Sequence, residues 1–294
     1  MLEGYQVYDA DAHVMMSPRM WESLPKEYQF RRPRPVKFGD ADDLGGWDSA
    51  WLLDGRLDPH PFGPGTHASN IPSMTMEEYG AKPDRAGDFS GDPQPIGVVD
   101  LSDPDARVRA LDDMGIDVQF LFPSTSYAAT SIDPGLEAAL FRAYNRYVGA
   151  QCEHTPRRLK WAGLLPLREP RQGLEAVAEM QKLGASAAVV FGTAGEYMLS
   201  DTAFTPIWDA FAESKLPLCI HMGMSYSPFE KLCFSIQDAN MIGKAIPAQL
   251  AFVALVGQGM LDRYPNLRIA FLEFGGEWIF YSVGRMKHYV EVNR

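Results

Sequence analysis

Residues 186–221 read SAAVVFGTAGEYMLSDTAFTPIWDAFAESKLPLCIH, and this stretch decides the fold class. Ser186–Phe191 is a short apolar run closed by Gly192. Ala203–Ser214 reads as a helix, and Leu216–His221 is a second apolar run. Neither run alternates apolar with polar residues. Continuous apolar strands are covered on both faces, as in a parallel sheet built from strand–helix–strand units.

The same rhythm extends in both directions. Downstream, Ala239–Leu261 predicts a helical stretch bent at Pro247, Leu267–Glu273 a strand and Gly276–Val292 a final helix. Upstream, Ser102 or Asp103 caps a helix that starts at Pro104, where the missing N–H of proline costs little, and ends at Gly115. Asp117–Phe122 predicts a strand, Pro134–Glu153 a helix, Leu159–Leu167 a strand and Pro170–Leu183 a helix, while Tyr5–Asp11 predicts the first strand. The alternation leaves an α/β fold, either a (β/α) barrel or a doubly wound sheet. No GxGxxG follows the first strand, so a dinucleotide-binding sheet has no support. Six strand–helix units are legible, whereas a closed (β/α)8 barrel has eight. A barrel reading therefore leaves about two units outside this chain.

Between the first strand and the regular region lies a long stretch, roughly 17–98, rich in proline, glycine and aspartate. That composition opposes regular structure. Trp21, Trp47 and Trp51 argue against a bare linker and for a packed insertion or lid over a site. The expectation is one domain over 1–294 carrying this insertion.

Composition narrows the function. Lysine and arginine total 27 against 38 acidic residues, a net charge of −11 over 294 residues, which argues against a nucleic-acid partner. No run approaches the ~20 apolar residues of a membrane span, and the start has no signal-peptide pattern. Cys152, Cys219 and Cys233 form no short-range metal or redox pair. A cytoplasmic location is the natural expectation.

In a βα barrel the chemistry sits at the C-terminal ends of the strands. The polar residues there are Asp9, Asp11 and His13 after the first run, His221 after the fifth and Glu273 after the sixth. Asp11 and His13 are two apart, so an extended chain points both the same way. With His221 from across the mouth they could hold one cation. Zinc accepts nitrogen and oxygen ligands of this kind, and manganese or iron would also fit. For each histidine the competing reading is a hydrogen-bonded core residue. Asp9 reads as structural, holding a backbone turn. Glu273, between Leu272 and Phe274, reads as buried, either functional or paired with an arginine. His60 and His67 in the insertion read as surface residues.

These features resemble the metal-dependent amidohydrolase superfamily in its amidohydrolase 2 branch, which holds decarboxylases of the aminocarboxymuconate-semialdehyde type and carbon–carbon bond hydrolases. The matching segments are DADAHV at 9–14, WLLDGRL at 51–57, ARVRALDDMGIDVQFLFP at 106–123 and AYNRYV at 143–148. Three more follow: RRLKWAGLLPL at 157–167, LPLCIHMG at 216–223 and DRYPNLRIAFLEFGGEW at 262–278. The resemblance implies a distorted (β/α)8 barrel with a divalent metal ion, zinc first and manganese or iron as alternatives. Asp11 stands where the family's first metal histidine usually lies, and His13 and His221 match the other two. Glu273 takes a position where several members have a catalytic histidine. Trp51–Leu57 is similar to a loop that closes over substrate, which makes Arg56 the candidate to hold a substrate carboxylate.

The family's last metal-site residue, an aspartate ending strand eight, has no counterpart after Glu273. A truncated chain is the favoured reading, ahead of a barrel that lacks its last quarter or one completed by another chain. The implied activity is metal-dependent hydrolysis or non-oxidative decarboxylation of a small aromatic or unsaturated acid or carbonyl compound. The small-molecule substrate would be the main partner, with a homodimer expected by resemblance. The rival reading is a non-catalytic scaffold on a degenerate barrel.

Overall fold

The computed structural model describes residues 4–37, 49–57, 96–124, 133–223 and 236–293. Strand β1 is Tyr8–Val14. A small antiparallel sheet follows, made of β2 (Arg34–Lys37), β3 (Ser49–Leu53) and β4 (Arg56–Leu57). Helices α1 (Ile96–Val99) and α2 (Pro104–Met114) lead to β5 (Val118–Pro123). Helix α3 (Pro134–Glu153) precedes β6 (Leu159–Leu164), and α4 (Pro170–Lys182) precedes β7 (Ala187–Val190). A short hairpin, β8 (Thr193–Ala194) with β9 (Tyr197–Met198), leads to α5 (Thr205–Ser214) and β10 (Leu218–His221). Helices α6 (Ile236–Phe252) and α7 (Met260–Arg263), strand β11 (Ile269–Leu272) and α8 (Glu277–Val292) complete the order.

The main sheet has six strands in the order β1-β5-β6-β7-β10-β11. Every pairing in it is parallel. All strands therefore end on one face. In a flat sheet β1 and β10, four steps apart, would lie about 19 Å from each other at ~4.8 Å per step. Instead a side-chain nitrogen of β10 is 3.3 Å from a carboxylate oxygen of β1. The sheet is curled into a partial barrel with helices around it, a distorted form of the (β/α)8 architecture expected from the sequence.

Local chemistry explains the boundaries. Asp103 caps α2 by accepting from the Ala106 amide at 2.8 Å, and Pro104 opens the helix. Gly115 closes it at φ 74°, with Ile116 N–H returning to the Leu111 carbonyl at 2.8 Å. Helix α4 buries Gly173, Ala176, Val177 and Met180, the spacing of one helical face. Strands β7 and β10 are buried along their whole length, as their apolar runs require.

Four readings are corrected. The first strand begins and ends three residues later than the run YQVYDAD predicts, because Ala12 and Val14 pack inward and keep pairing with β5. The 239–261 stretch does not simply bend at Pro247: α6 carries Pro247 inside it, passes into a π-helical turn over Val253–Gly257, and α7 is separate. The described part of the insertion is not irregular, since it carries two 3₁₀ segments and the β2–β4 sheet. Trp21 and Trp51 there are fully buried, which places this part in the core. Glu273 is not buried; its side chain is 38% exposed.

Candidate metal centre

The parallel sheet puts the ends of β1, β10 and β11 on one rim. His221 is the last residue of β10, and Glu273 follows the last residue of β11. Asp11 lies in β1 within a bulge, where Asp9 pairs with Gln119 but Ala12 pairs with Leu121, and His13 follows just past it, opposite Phe122. Three steps along β1 thus match two along β5, an irregularity that re-aims side chains.

The ligand atoms of Asp11, His13 and His221 lie within 4.8 Å of one another, a candidate metal group among the described residues. His221 Nε2 is 3.3 Å from Asp11 Oδ1 and 3.6 Å from Glu273 Oε2. His13 Nε2 is 3.8 Å from Glu273 Oε2. Two atoms bound tetrahedrally to one ion at 2.0–2.2 Å stand about 3.3–3.6 Å apart. Within the candidate ligand set the His221–Asp11 separation matches that spacing, and Glu273 stands beside both imidazoles at 3.6 and 3.8 Å. The imidazole planes of His13 and His221 meet at 81°, with centroids 5.2 Å apart.

Hydrogen bonding sets the tautomer. His221 Nδ1 lies 3.1 Å from the Met222 carbonyl, which can only accept, so Nδ1 donates. That arrangement aims Nε2 at the two carboxylates. A bare lone pair facing carboxylate oxygens is repulsive, so the point between them calls for a positive charge, either a proton or a cation. The donor set of two imidazoles and a carboxylate, with a second carboxylate beside it, fits a divalent metal ion.

The same packing separates the two rings electrostatically. Burial, followed by the charge of His221, lowers the His13 pKa to about 4. Burial also works against a charged His221, yet the Asp11 hydrogen bond, the Met222 carbonyl and the charges of Asp11 and Glu273 outweigh it and raise its pKa. Although the Glu273 side chain is 38% exposed, partial loss of solvent around its carboxyl raises its pKa, with His221 and Lys244 pulling it down and Asp11 pushing it up.

Glu273 occupies left-handed backbone at φ 60°, unusual outside glycine. Gly275 follows at φ 67°, and the Trp278 indole N–H donates to its carbonyl at 3.1 Å. The buried Trp278 ring thus anchors the turn that carries the carboxylate.

Four of the five polar residues at the strand ends therefore converge: Asp11, His13, His221 and Glu273. Asp9 does not join them; its carboxylate accepts from the Asp11 amide at 3.4 Å and from Gln119 at 2.7 Å, a structural role. Arg56 lies at the start of β4, and its side chain is outside the described residues, as are His60 and His67. Lys244 was missed: it sits within α6, away from any strand end, yet its charge reaches Glu273. A lysine among the apolar residues of that helix was the signal available.

An amidohydrolase family profile matches residues 9–292. The 2-amino-3-carboxymuconate-6-semialdehyde decarboxylase of Dictyostelium discoideum is 22% identical over 191 residues, 63% of this chain and 51% of that protein. The chain thus spans about half the length of the curated relative it matches. Among solved structures, an amidohydrolase from Mycobacterium avium subsp. paratuberculosis superposes with a TM-score of 0.73 at 18% identity, over 98% of this chain and 77% of that one. A 5-carboxyvanillate decarboxylase from Novosphingobium aromaticivorans, complexed with manganese and a nitrobenzoic acid, gives 0.62 at 16% identity, over 98% and 70%. A 2,6-dihydroxybenzoate decarboxylase from Rhizobium gives 0.54 at 16%, over 91% and 66%. At such identities these structures speak for the fold.

Proposed function

The chain belongs to the amidohydrolase family, and from that premise we propose that it is a metal-dependent enzyme removing carbon dioxide, without oxidation, from a small aromatic or unsaturated carboxylic acid. The observation that carries this reading is the meeting of the Asp11, His13 and His221 ligand atoms within 4.8 Å of one another, with Glu273 beside them. The acids named for its decarboxylase relatives guide the choice of substrate class.

Asp11, His13 and His221 would hold the cation. Zinc is the first candidate because two imidazole nitrogens suit it, and manganese is the second because the Novosphingobium relative carries it. When bound, the cation would polarise a substrate oxygen. The protein's own groups do the rest. The Met222 carbonyl holds the His221 ring in orientation. Glu273 faces both imidazoles and is assigned as proton donor. Its proton passes from the carboxyl oxygen to the carbon bearing the substrate carboxylate. The electron pair of the breaking carbon–carbon bond restores the unsaturated system as carbon dioxide leaves. Arg56 is assigned to the substrate carboxylate, and the insertion over roughly 17–98 to closing the mouth. The remaining assignments are a single domain over 1–294, a homodimer and a cytoplasmic location; among the described residues no helix is long and apolar enough to cross a membrane.

Hydrolysis of a carbonyl compound is the second reading, favoured because Glu273 beside the cluster could equally accept a proton from water. The test is metal content together with carbon dioxide release from a panel of aromatic and unsaturated acids. About one metal ion per chain, lost in His13→Ala and His221→Ala, with carbon dioxide released, supports the proposal. Metal binding with hydrolysis alone selects the second reading. A folded protein that holds no metal and turns over nothing leaves the scaffold reading.

A further inference from the structure

A polar chain, buried at its centre and half-buried at Asp9, begins and ends on the backbone of the two β1 residues assigned to the metal. The Asp11 amide donates to Asp9 Oδ1 at 3.4 Å. Asp9 Oδ2 accepts from Gln119 Nε2 at 2.7 Å. Gln119 Oε1 accepts from Arg107 Nε at 2.7 Å. The Arg107 guanidinium then donates to the His13 carbonyl at 3.2 Å and to the Val98 carbonyl at 2.9 Å. Arg107 is 8% exposed and Gln119 4%.

Two features argue that this chain does more than fill space. First, the bulge takes Asp11 out of register with β5 and its amide is met by the Asp9 carboxylate, while the His13 carbonyl, one residue past the bulge, is met by Arg107. Secondly, a guanidinium is expensive to bury, and these hydrogen bonds go to a neutral amide and two carbonyls rather than to a carboxylate. An apolar side chain on this face of α2 would pack at lower cost. The Val98 contact also ties the returning end of the insertion to the same guanidinium.

We infer that Arg107, Gln119 and Asp9 are positioning residues that set the spacing of Asp11 and His13 across the β1 bulge. The inference rests on the metal reading above for its purpose, though not for its geometry. Removing a link lets the bulge relax into other registers, and the two ligands no longer present one face. Outer partners of metal ligands typically change affinity by roughly 10–100-fold when lost.

The test uses Co(II) as a probe, with affinity and visible absorption spectrum as readouts, in Gln119→Leu and Arg107→Met. Arg158→Met is the control. Arg158 braces the opposite end of β5 through the Asp117 and Ile116 carbonyls, so its loss weakens the strand without touching the chain. The expected result is weaker Co(II) binding by roughly 10–100-fold with an altered spectrum in both test variants, and neither change in the control. If Arg107→Met does not fold, Gln119→Glu breaks the link to Asp9 with almost no change of shape. Hydrogen exchange of segment 9–14 in the metal-free protein reads the positioning itself and should quicken in Gln119→Leu but not in Arg158→Met. Quickened exchange in a protein that binds no Co(II) at all would overturn the metal reading and leave the positioning role standing. Unchanged exchange, or a folded Gln119→Leu protein with the parent affinity and spectrum, overturns the inference.

Discussion

Replacing Arg168 with methionine should destabilise the protein by an amount that depends on pH in a definite direction. Glu137, in the first turn of α3, is almost fully buried and accepts from Arg168 Nε at 3.1–3.2 Å and from Nη2. Burial lifts its carboxyl from an ordinary 4.5 to about 7, with the guanidinium pulling the other way. The folded state therefore holds an extra proton between pH 4.5 and about 7, and stability falls as pH rises through that window, by up to ~1.4 kcal/mol per unit. In the parent the fall ends near pH 7, once the folded carboxyl has ionised. Methionine keeps the apolar stem but removes the opposing charge, so the folded pKa climbs further and the fall continues above neutrality. The gap between variant and parent should reach about 3–5 kcal/mol at pH 8, the cost of breaking a buried pair from one side. It should be smaller at pH 6, where the carboxyl is protonated and only hydrogen bonds are lost. Urea unfolding at a series of pH values measures this directly. Changing Glu137 to glutamine in the same protein should recover most of the loss, since neither charge remains. Parallel stability curves for variant and parent from pH 6 to 9 would refute the argument.

Other outcomes follow from separate parts of the molecule. Zinc or manganese at 100 times its dissociation constant should stabilise the fold by about 2.7 kcal/mol, a Tm rise of roughly 5–10 °C, and Asp11→Asn should abolish most of it; an equal rise in the variant would contradict the ligand assignment. Gly192→Ala should cost more than Gly163→Ala by urea unfolding. A Cβ at 192 would collide with the Pro247 backbone of α6, whereas one at 163 meets the flexible Met180 side chain, whose displacement costs about 1–3 kcal/mol. Arg56→Ala should raise KM for a carboxylate substrate far more than it lowers kcat; an unchanged KM removes that role.

Much of this was readable in the chain. Helix α2 starts at Pro104 and ends before Gly115 because a proline behind a capping aspartate and a glycine in left-handed backbone favour those ends. The apolar runs marked the six strands of the main sheet, but not the short strands β2–β4 and β8–β9, which have no such runs. Asp11, His13 and His221 were legible because strand order in a parallel sheet sends every strand end to one rim. What escaped notice depends on contacts distant in sequence. A bulge between Asp9 and Ala12 is defined only against β5, more than a hundred residues away. Glu273 was misread as buried from its apolar neighbours, but β11 lies at the edge of the sheet among the described strands, where coverage is thinner. Arg107 carried a trace of its role, since it shares the buried face of α2 with Leu111 four residues on. Gln119, a polar residue inside an apolar strand, was its counterpart. Arg31 left no trace at all: it reaches Asp54 in the β3–β4 turn at 2.6 Å and Asp133 at the start of α3 at 2.5 Å, partners that only the fold brings together.

The twisted main chain at Glu273 bears on any attempt to engineer this protein. A glutamate held at φ 60° sacrifices about 1–2 kcal/mol that glycine would not, so a screen for heat tolerance will drift toward glycine or asparagine there. Such winners would be sturdier proteins stripped of their acid. Libraries selected for robustness should hold this codon fixed, or else score turnover in the same round.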